Sequence, residues 1–202
     1  HAMDRGSDGL AETTAWATAA GVSTVGAGAN RAESEKPLII DTGRGKLGIV
    51  SFGENFGSLS RSTVTSPGMV PFSTDKIQRG LTLARSAGAD YVVAFVHWGD
   101  NYAPINESQR YWASQLADAG YDLVIGTGSH TLQAVEHVNG VPVLYGLGNF
   151  VFGSNGRYAQ FGQESLAAVA RLVWSPDGPS RLELSCIQAD NALTGFVPRP
   201  CT

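Results

Sequence analysis

Three histidines and one aspartate hold the positions in this 202-residue sequence where side-chain chemistry is most expected. His97 directly follows the apolar run 91–96, and His130 follows the shorter apolar run 123–125 after a glycine-rich turn. Histidine is the commonest metal ligand in proteins and acts as an acid or base near neutral pH. If both runs are parallel strands, residues beyond their carboxyl ends meet at one edge of the sheet. We therefore predict that His97 and His130 share one site and can bind a metal ion.

His1 and Asp4 form a further candidate group at the beginning of the sequence. The fourth histidine, His137, lies in an amphipathic stretch before an Asn-Gly turn and is predicted to be an ordinary surface residue. Each histidine has an alternative interpretation, because a histidine at a strand end often only completes the hydrogen bonds of its loop. The occurrence of His97 and His130 after two successive strands makes a functional role about as well supported as that alternative.

The middle of the sequence alternates between patterns typical of helices and patterns typical of buried strands. Apolar residues on one face predict a helix over 74–88, and Asn106 with Gln109 resembles a capping box that opens a second helix. The continuous apolar run 91–96 is typical of a strand buried on both faces. Further elements are predicted as a helix at about 8–20, strands at 22–25, 37–41, 46–52, 123–125, 141–145, 150–152, 165–174 and 181–189, and a loop over 53–73.

These elements predict an α/β fold with a mixed sheet or a two-sheet sandwich, because strand–helix–strand units in mid-chain are flanked by hairpins. A length of 202 residues suits one domain over residues 1–202 with a substantial core. Hydrophobic residues make up 43% and charged residues 16%, as in globular proteins. The net charge of -4 and the lack of a basic stripe argue against a nucleic-acid partner.

The two cysteines leave two alternatives open. Cys186 and Cys201 lack the CxxC spacing of a zinc knuckle, so they form either a disulfide or two unpaired thiols, and we favour the thiols. They therefore do not decide the compartment. No apolar run approaches the ~18 residues that cross a bilayer, and the first residues show no signal-peptide pattern.

Five stretches, in order over residues 1 to about 153, resemble motifs of the CapA/PgsA proteins, which are named for capsule and poly-γ-glutamate synthesis. The matching stretches are His1–Gly6 for the tail of ANNHxxDyG, Gly26–Asn30 for GaGxN, His97–Gln109 for HWGxEY…P…Q, Val124–Gln133 for ViGxHxHxxQ and Tyr145–Phe152 for YSLGNFvF. The sequence is thereby identified as a CapA/PgsA-type domain of the metallophosphoesterase superfamily.

This resemblance implies an αββα sandwich of the calcineurin-like type, whose members bind two divalent metal ions and hydrolyse phosphoesters. It implies Mn, Fe or Zn as the metal, polarising a phosphoryl group and generating hydroxide from bound water. Carried over to this sequence, the metal ligands are His97 and His130, the catalytic residues are His1 and Asp4, and Asn149 contacts the substrate. Arg61, in the predicted loop 53–73, is a further candidate for an anion contact.

The sequence also departs from the family motifs at positions that bear on the metal. Gly128 stands where the first histidine of HxH is expected, and Asn101 stands where the motif HWGxEY has glutamate. The stretch with the GD motif and the asparagine before His1 is absent from the sequence, so the resemblance covers the C-terminal two-thirds of such a domain. We therefore expect a metal site that is weak or absent.

Two functions follow from the resemblance and its departures. The first is a metal-dependent, metallophosphoesterase-like hydrolase that acts on a phosphoester or an anionic polymer in cell-envelope metabolism. The second is a degenerate, non-catalytic binding or scaffold subunit of a polymer synthase complex with membrane-bound partners. A generic small-molecule-binding α/β domain is a third alternative. The family implies a location in the cell envelope or outside the cell.

Overall fold

A computed structural model of the chain describes residues 1–54, 57, 60–152, 155–175 and 178–201. Within these ranges the elements are, in chain order, α1 (Gly6–Ala19), β1 (Ala27–Gly28), α2 (Arg31–Ser34), β2 (Leu38–Asp41), β3 (Lys46–Gly53), β4 (Gly68–Met69), α3 (Thr74–Ser86), β5 (Tyr91–His97), α4 (Glu107–Ala119), β6 (Leu123–Thr127), β7 (Val135–Val138), β8 (Val141–Leu144), β9 (Leu166–Ser175), β10 (Gly178–Gln188), α5 (Asn191–Thr194) and β11 (Arg199–Pro200). The largest sheet has six strands in the order β2-β3-β5-β6-β8-β7.

The six-stranded sheet is mixed. Strands β3, β5, β6 and β8 are parallel, whereas β2 and β7 run antiparallel at its two edges. The strand register places Gly53, His97 and Thr127 side by side, so β3, β5 and β6 end at the same edge of the sheet. The apolar run in β5 is explained by burial on both faces, since Val92, Ala94 and Val96 lie in the core under the helices and Val93 lies in the core under the second sheet. Phe95 is the exception, at 39% exposed.

Helices α3 and α4 cover one face of this sheet, at the positions that the sequence predicts. Helix α3 begins after Ser73, whose hydroxyl accepts a hydrogen bond from the Lys76 amide. Helix α4 begins with the predicted capping box and ends at Gly120, whose φ of 101° favours glycine. No described helix is both long and apolar enough to cross a membrane. The core beneath α3 and α4 includes Ile77, Val92, Val96, Trp98, Leu116, Tyr121 and Tyr145.

The opposite face of the main sheet packs against a second sheet, which is antiparallel with the order β11-β10-β9. Ala170 and Leu182 of this sheet contact Val93, Leu123 and Leu144 of the main sheet. Helices α3 and α4, the six-stranded sheet and the second sheet correspond in this order to the first three layers of the predicted αββα sandwich. The predicted α/β class with a mixed sheet is therefore confirmed.

Three local predictions are wrong. Residues 22–25 form no strand, and Val22 is 57% exposed. The short strand β1 lies just after them and pairs with β4, which interrupts the predicted loop 53–73. Residues 150–152 form no strand either, and Phe150 and Val151 are exposed. In both stretches the apolar residues lack the partner strand that would bury them, which composition alone does not reveal.

Our preference for two unpaired thiols is also wrong, because Cys186 and Cys201 form a disulfide with their Cα atoms 5.5 Å apart. Strand β11 pairs with β10 so that Arg199 faces Gln188 and Pro200 faces Ile187. Continuing this register brings Cys201 opposite Cys186, and the Cys201 amide donates to the Cys186 carbonyl at 3.2 Å. The pairing depends on the two-residue strand β11, which has no clear signal in the sequence.

Candidate functional site

The candidate site lies at the edge where β3, β5 and β6 end. His97 is the last residue of β5 and pairs in register with Gly53 on one side and Thr127 on the other. His130 follows β6 by three residues, after the turn at Gly128. A Cβ atom on Gly128 would stand 3.1 Å from Cδ2 of His97, so this turn lies directly against the His97 ring. The parallel arrangement therefore brings the segments that carry both histidines to one edge.

The His97 imidazole is half-buried at the end of β5. Burial lowers its pKa from the ordinary value of 6.5, and the neighbouring His130 imidazole lowers the pKa further. The Glu54 carboxylate acts in the opposite direction, although the net pKa shift is downward. The neutral imidazole is therefore the favoured form at pH 7, with one ring nitrogen that can accept a proton or bind a cation.

His1 and Asp4 lie next to His97. The rings of His1 and His97 meet edge to face with their centroids 6.1 Å apart. Nδ1 of His1 and Oδ2 of Asp4 are 2.9 Å apart, and because a carboxylate only accepts, the imidazole is the donor. Both side chains are exposed, at 78% for His1 and 64% for Asp4. Asp4 therefore orients the His1 ring at the surface of the site.

A cavity of about 900 Å³ opens beside these residues. Its volume is within the range of small-molecule sites, ~300–1,000 Å³. The polar side chains in its wall include those of His1, Asp4, Ser51 and His97, and the apolar ones are Ala2, Met3, Val25, Phe52 and Met69, with Ala27 also lining it. The cavity thus combines two imidazoles and a carboxylate with a mostly apolar wall.

His130 occupies a separate, aromatic part of the edge. Its backbone has φ of 60°, a left-handed value that is rare for residues other than glycine. Its ring stacks on Tyr102 with centroids 5.4 Å apart and lies 4.9 Å from the ring of Phe152. Nδ1 of His130 and Oδ1 of Asn149 are 2.8 Å apart. Two of the predicted site residues, His130 and Asn149, are therefore in direct contact.

Arg61 is exposed on the segment between β3 and α3, within the predicted loop. Its backbone forms a bridge with Met69, which lines the cavity. The structure thus places Arg61 on a segment bordering the cavity, and its role as an anion contact stays a prediction.

Glu54 is a member of this edge that the sequence analysis missed. Its Oε2 accepts a hydrogen bond from the Gly99 amide at 2.9 Å, and its Oε1 accepts one from the Ser108 hydroxyl at 2.7 Å. Its own amide donates to the His97 carbonyl at 2.9 Å. Glu54 therefore ties the end of β3 to the turn after His97 and to the first turn of α4. It directly follows β3, which ends one residue beyond the predicted strand 46–52, so a search for polar residues just after strand ends could have found it.

The described residues do not by themselves fit a two-metal centre. Within residues 1–54, 57, 60–152, 155–175 and 178–201, no group of three or more His, Cys, Asp or Glu side chains is arranged to hold a metal ion. The nearby carboxylate of Glu54 already accepts two hydrogen bonds. The imidazoles of His97 and His130 are suitable donors for a divalent cation, but a stable site takes more ligands than two.

The sequence itself decides the family. A family described as bacterial capsule synthesis protein PGA_cap matches residues 1–154, three-quarters of the chain. The chain belongs to this family. The match includes every predicted site residue from His1 to Asn149 and ends before the second sheet. It confirms the resemblance on which the sequence analysis relied.

Three relatives of this PGA_cap member carry names from polymer synthesis. The PGA biosynthesis protein CapA of Bacillus subtilis is 31% identical over 154 residues, 75% of this chain and 40% of that protein. The capsule biosynthesis protein CapA of Bacillus anthracis is 28% identical over 75% of this chain and 38% of that protein. A probable polyglutamine synthesis accessory protein of Mycobacterium tuberculosis is 31% identical over 86% of this chain and 48% of that protein. The chain thus spans less than half the length of each.

The solved structures with a similar fold are less similar to this chain in sequence than these three relatives. A hypothetical protein from Thermus thermophilus aligns with a TM-score of 0.45 at 16% identity, covering 75% of this chain and 61% of that one. The NAD nucleotidase of Haemophilus influenzae aligns with a TM-score of 0.49 at 12% identity, covering 100% of this chain and 42% of that one. Likenesses this distant say nothing about the chemistry of the present chain.

Proposed function

We propose that this PGA_cap-family chain takes part in the synthesis or turnover of an anionic cell-envelope polymer and is hydrolase-like at the edge that carries His97. The family supports the process, and the names of the Bacillus relatives refer to capsule or PGA biosynthesis. The observation that carries the chemistry is the half-buried His97 imidazole in the wall of a cavity of about 900 Å³, where burial lowers the pKa of the ring. The proposed substrates are phosphoesters or the anionic polymer itself.

The side chains at this edge can support proton transfers. The neutral imidazole of His97 can accept a proton from an attacking water as a general base. His1, whose ring is oriented by Asp4, lines the same cavity next to His97 and in its protonated form can donate the Nε2 proton to a leaving group. The Glu54 carboxylate fixes the turn after His97 and thereby the position of the base. A divalent cation such as Mn²⁺ belongs to the proposal as an added cofactor, since the described ligand set does not hold one.

The test is hydrolysis of bis(p-nitrophenyl) phosphate by the purified protein, with the bound metal content measured first and Mn²⁺ then added. Replacing His97 by glutamine should lower kcat/KM by ~100-fold or more, because general-base catalysis typically contributes that much. The matched control is His137→Gln, which changes an exposed histidine on β7. Equal rates for the two variants, or no hydrolysis by the parent protein with Mn²⁺, would contradict the hydrolase proposal.

A second function, a non-catalytic binding subunit, is supported by one specific observation. Among the residues that the structure describes, no three metal-ligating side chains come together. In this alternative the edge binds an anionic polymer for a membrane-bound synthase partner. Sedimentation of the protein with poly-γ-glutamate tests it, and binding that persists in a metal-free, inactive protein supports it. An inactive protein that also leaves the polymer in the supernatant would contradict both functions.

We further propose that the protein works outside the cytosol, at the cell envelope. The Cys186–Cys201 disulfide supports this location because disulfides persist in oxidising compartments and are rare in the reducing cytosol. Alkylating native cells with a thiol reagent before lysis tests it. The two cysteines should remain unmodified until a reductant is added, and modification without reductant would contradict the location.

A further inference from the structure

The aromatic cluster around His130 carries a positive charge that comes from beyond the family-matched residues. The family match ends at residue 154, and Arg157 and Phe161 belong to the segment that follows it. Cζ of Arg157 lies 5.8 Å from the centroid of the Tyr102 ring and 5.7 Å from that of the Phe161 ring. These two rings stack with centroids 5.3 Å apart, and Tyr102 also stacks on His130. The guanidinium group and the histidine therefore contact the same ring.

Two contacts fix the backbone that carries this arginine. The Arg157 amide donates a hydrogen bond to the Tyr102 hydroxyl at 3.2 Å. The next residue, Tyr158, is only 3% exposed, and its ring meets the Tyr102 ring edge to face with centroids 5.3 Å apart. Because Tyr158 is buried, the segment is anchored there while the Arg157 side chain stays exposed. The segment therefore holds the arginine at the surface of the site.

The charge of Arg157 is not neutralised by a carboxylate in the part of the chain that the structure describes. The ion pairs among these residues include other arginines, such as Arg79 and Arg85, but not Arg157. Ring faces attract a guanidinium group through its charge. Its N–H donors form a planar fork that matches the oxygens of a carboxylate or a phosphate. Arg157 can therefore bind an oxyanion without giving up an ion pair among the described residues.

The rings around Arg157 favour such a contact. Tyr102 is 3% exposed, and the Phe152 ring lies 4.9 Å from that of His130, so apolar groups displace much of the water beside the histidine. An ion contact is stronger where less water screens it. The two rings also limit the freedom of the guanidinium group, so less side-chain entropy is lost when an anion binds.

We propose that Arg157 is a substrate-binding residue that recognises an oxyanion, a phosphate or a carboxylate, on the molecule that reaches His130. This role rests on the proposed function for the identity of that molecule, because a phosphoester and an anionic polymer both carry such a group. The part of Arg157 is binding and not proton transfer, since a guanidinium group stays protonated. A residue outside every motif thus selects for a charged substrate.

The test is an NMR titration of ¹⁵N-labelled, metal-free protein that follows the backbone amide signals of Tyr102 and His130. One arm adds inorganic phosphate, and the other adds glutarate, which carries carboxylates only. At least one anion should give saturable shifts, and the anion with the lower Kd identifies the class of substrate. Arg157→Gln should raise that Kd by about tenfold or more, because a hydrogen bond to a charged group typically contributes that factor.

Arg44→Gln is the matched control. It makes the same change at an exposed arginine in the turn before β3, at the opposite end of this strand from the site, and should leave both dissociation constants unchanged. Failure of the parent protein to bind either anion overturns the proposal. So do equal dissociation constants for Arg157→Gln and Arg44→Gln.

A conservative variant separates a lost charge from disturbed packing of the rings. Arg157→Lys keeps the charge without the planar fork, so it should bind the anion about threefold more tightly than Arg157→Gln and less tightly than the parent protein. Packing defects alone would weaken binding equally in both variants, so equal affinities of Arg157→Lys and Arg157→Gln overturn the proposal.

Anion binding and hydrolysis can fail separately. A protein that binds phosphate through Arg157 but leaves bis(p-nitrophenyl) phosphate intact contradicts only the hydrolase proposal. Hydrolysis that depends on His97, together with anion binding that is unchanged in Arg157→Gln, overturns only the role of Arg157.

Discussion

Replacing Glu35 by glutamine should destabilise the fold by about 3 kcal/mol, because it breaks a buried ion-pair group. The Glu35 side chain is only 6% exposed, and its Oε1 accepts from Nζ of Lys76 at 2.7 Å while its Oε2 accepts from Nε of Arg79 at 2.8 Å. These contacts attach the end of α2 to the first turns of α3. The Glu35 carboxylate therefore connects α2 to α3.

The magnitude follows from the exposure of the two cations. The Lys76 side chain is 20% exposed, so removing its partner leaves a largely buried ammonium uncompensated, which costs about 3–5 kcal/mol in comparable cases. The Arg79 side chain is 61% exposed and can be solvated instead, so its lost contact adds at most about 1 kcal/mol. Glutamine keeps one acceptor oxygen, which lowers the total to about 3 kcal/mol.

The effect should depend on pH with a definite sign. Burial opposes ionisation of Glu35, but the hydrogen bonds and charges of Lys76 and Arg79 outweigh it and hold the pKa below the ordinary 4.5. A carboxyl group with a lowered folded-state pKa stabilises the protein above its unfolded-state pKa, and that contribution is lost as the pH falls through the folded-state pKa. The difference between parent and Glu35→Gln should therefore shrink below about pH 4.5.

Urea unfolding at pH 7 and at lower pH measures both effects through the transition midpoint. Glu12→Gln is the matched control, since it makes the same chemical change at an exposed position on α1. A Glu35→Gln variant no less stable than Glu12→Gln at pH 7 would refute the argument. So would a difference that grows as the pH falls, because the sign of the linkage would then be reversed.

Three further predictions test other parts of the structure. The free energy of unfolding should fall as the pH drops below about 6.5, because the pKa of His97 is lower in the folded protein, so the unfolded chain takes up the proton at a higher pH. In urea titrations, His97→Gln should reduce this pH dependence. Reducing the Cys186–Cys201 disulfide, which spans 15 residues, should lower the free energy of unfolding by about 3 kcal/mol. The free energy of unfolding of the Cys186→Ser variant should be the same with and without reductant. Gly126→Ala should cost about 3 kcal/mol, because the new methyl group would meet the Tyr145 carbonyl. Gly140→Ala, which meets no atom but places alanine at a φ of 84°, should cost only about 1–2 kcal/mol in thermal unfolding.

The parts of the fold that the sequence predicts are those with local signals. The capping box of Asn106 and Gln109 and the stop at Gly120 define α4 within the chain segment itself. The apolar run 91–96 similarly identifies β5 as a strand that is buried on both faces except at Phe95. The disulfide and the pairing of β1 with β4 depend on contacts between distant segments, so periodicity and composition could not predict them.

The motif residues are less informative about chemistry than their positions suggest. Nε2 of Gln109 donates to Oε1 of Gln133 at 2.8 Å inside the core, so both motif glutamines serve the packing of α4 against the turn after β6. Nε1 of Trp98 likewise donates to the Tyr145 carbonyl at 2.7 Å, which joins two further motifs. Spacing alone does not separate such structural residues from His97, because both kinds follow strands or open helices.

The arrangement around His130 explains why the rest of the site escapes a sequence analysis. Tyr102 and His130 both have left-handed backbones, with φ of 56° and 60°, which costs about 1–3 kcal/mol at each non-glycine residue. Such strain persists only where surrounding contacts outweigh it, and here the rings of Phe161 and Tyr158 pack on Tyr102 from beyond the family-matched residues. The geometry of one motif histidine is thus held by a segment without any recognisable motif. A change in that segment can therefore alter the chemistry of His130 while every motif residue stays in place.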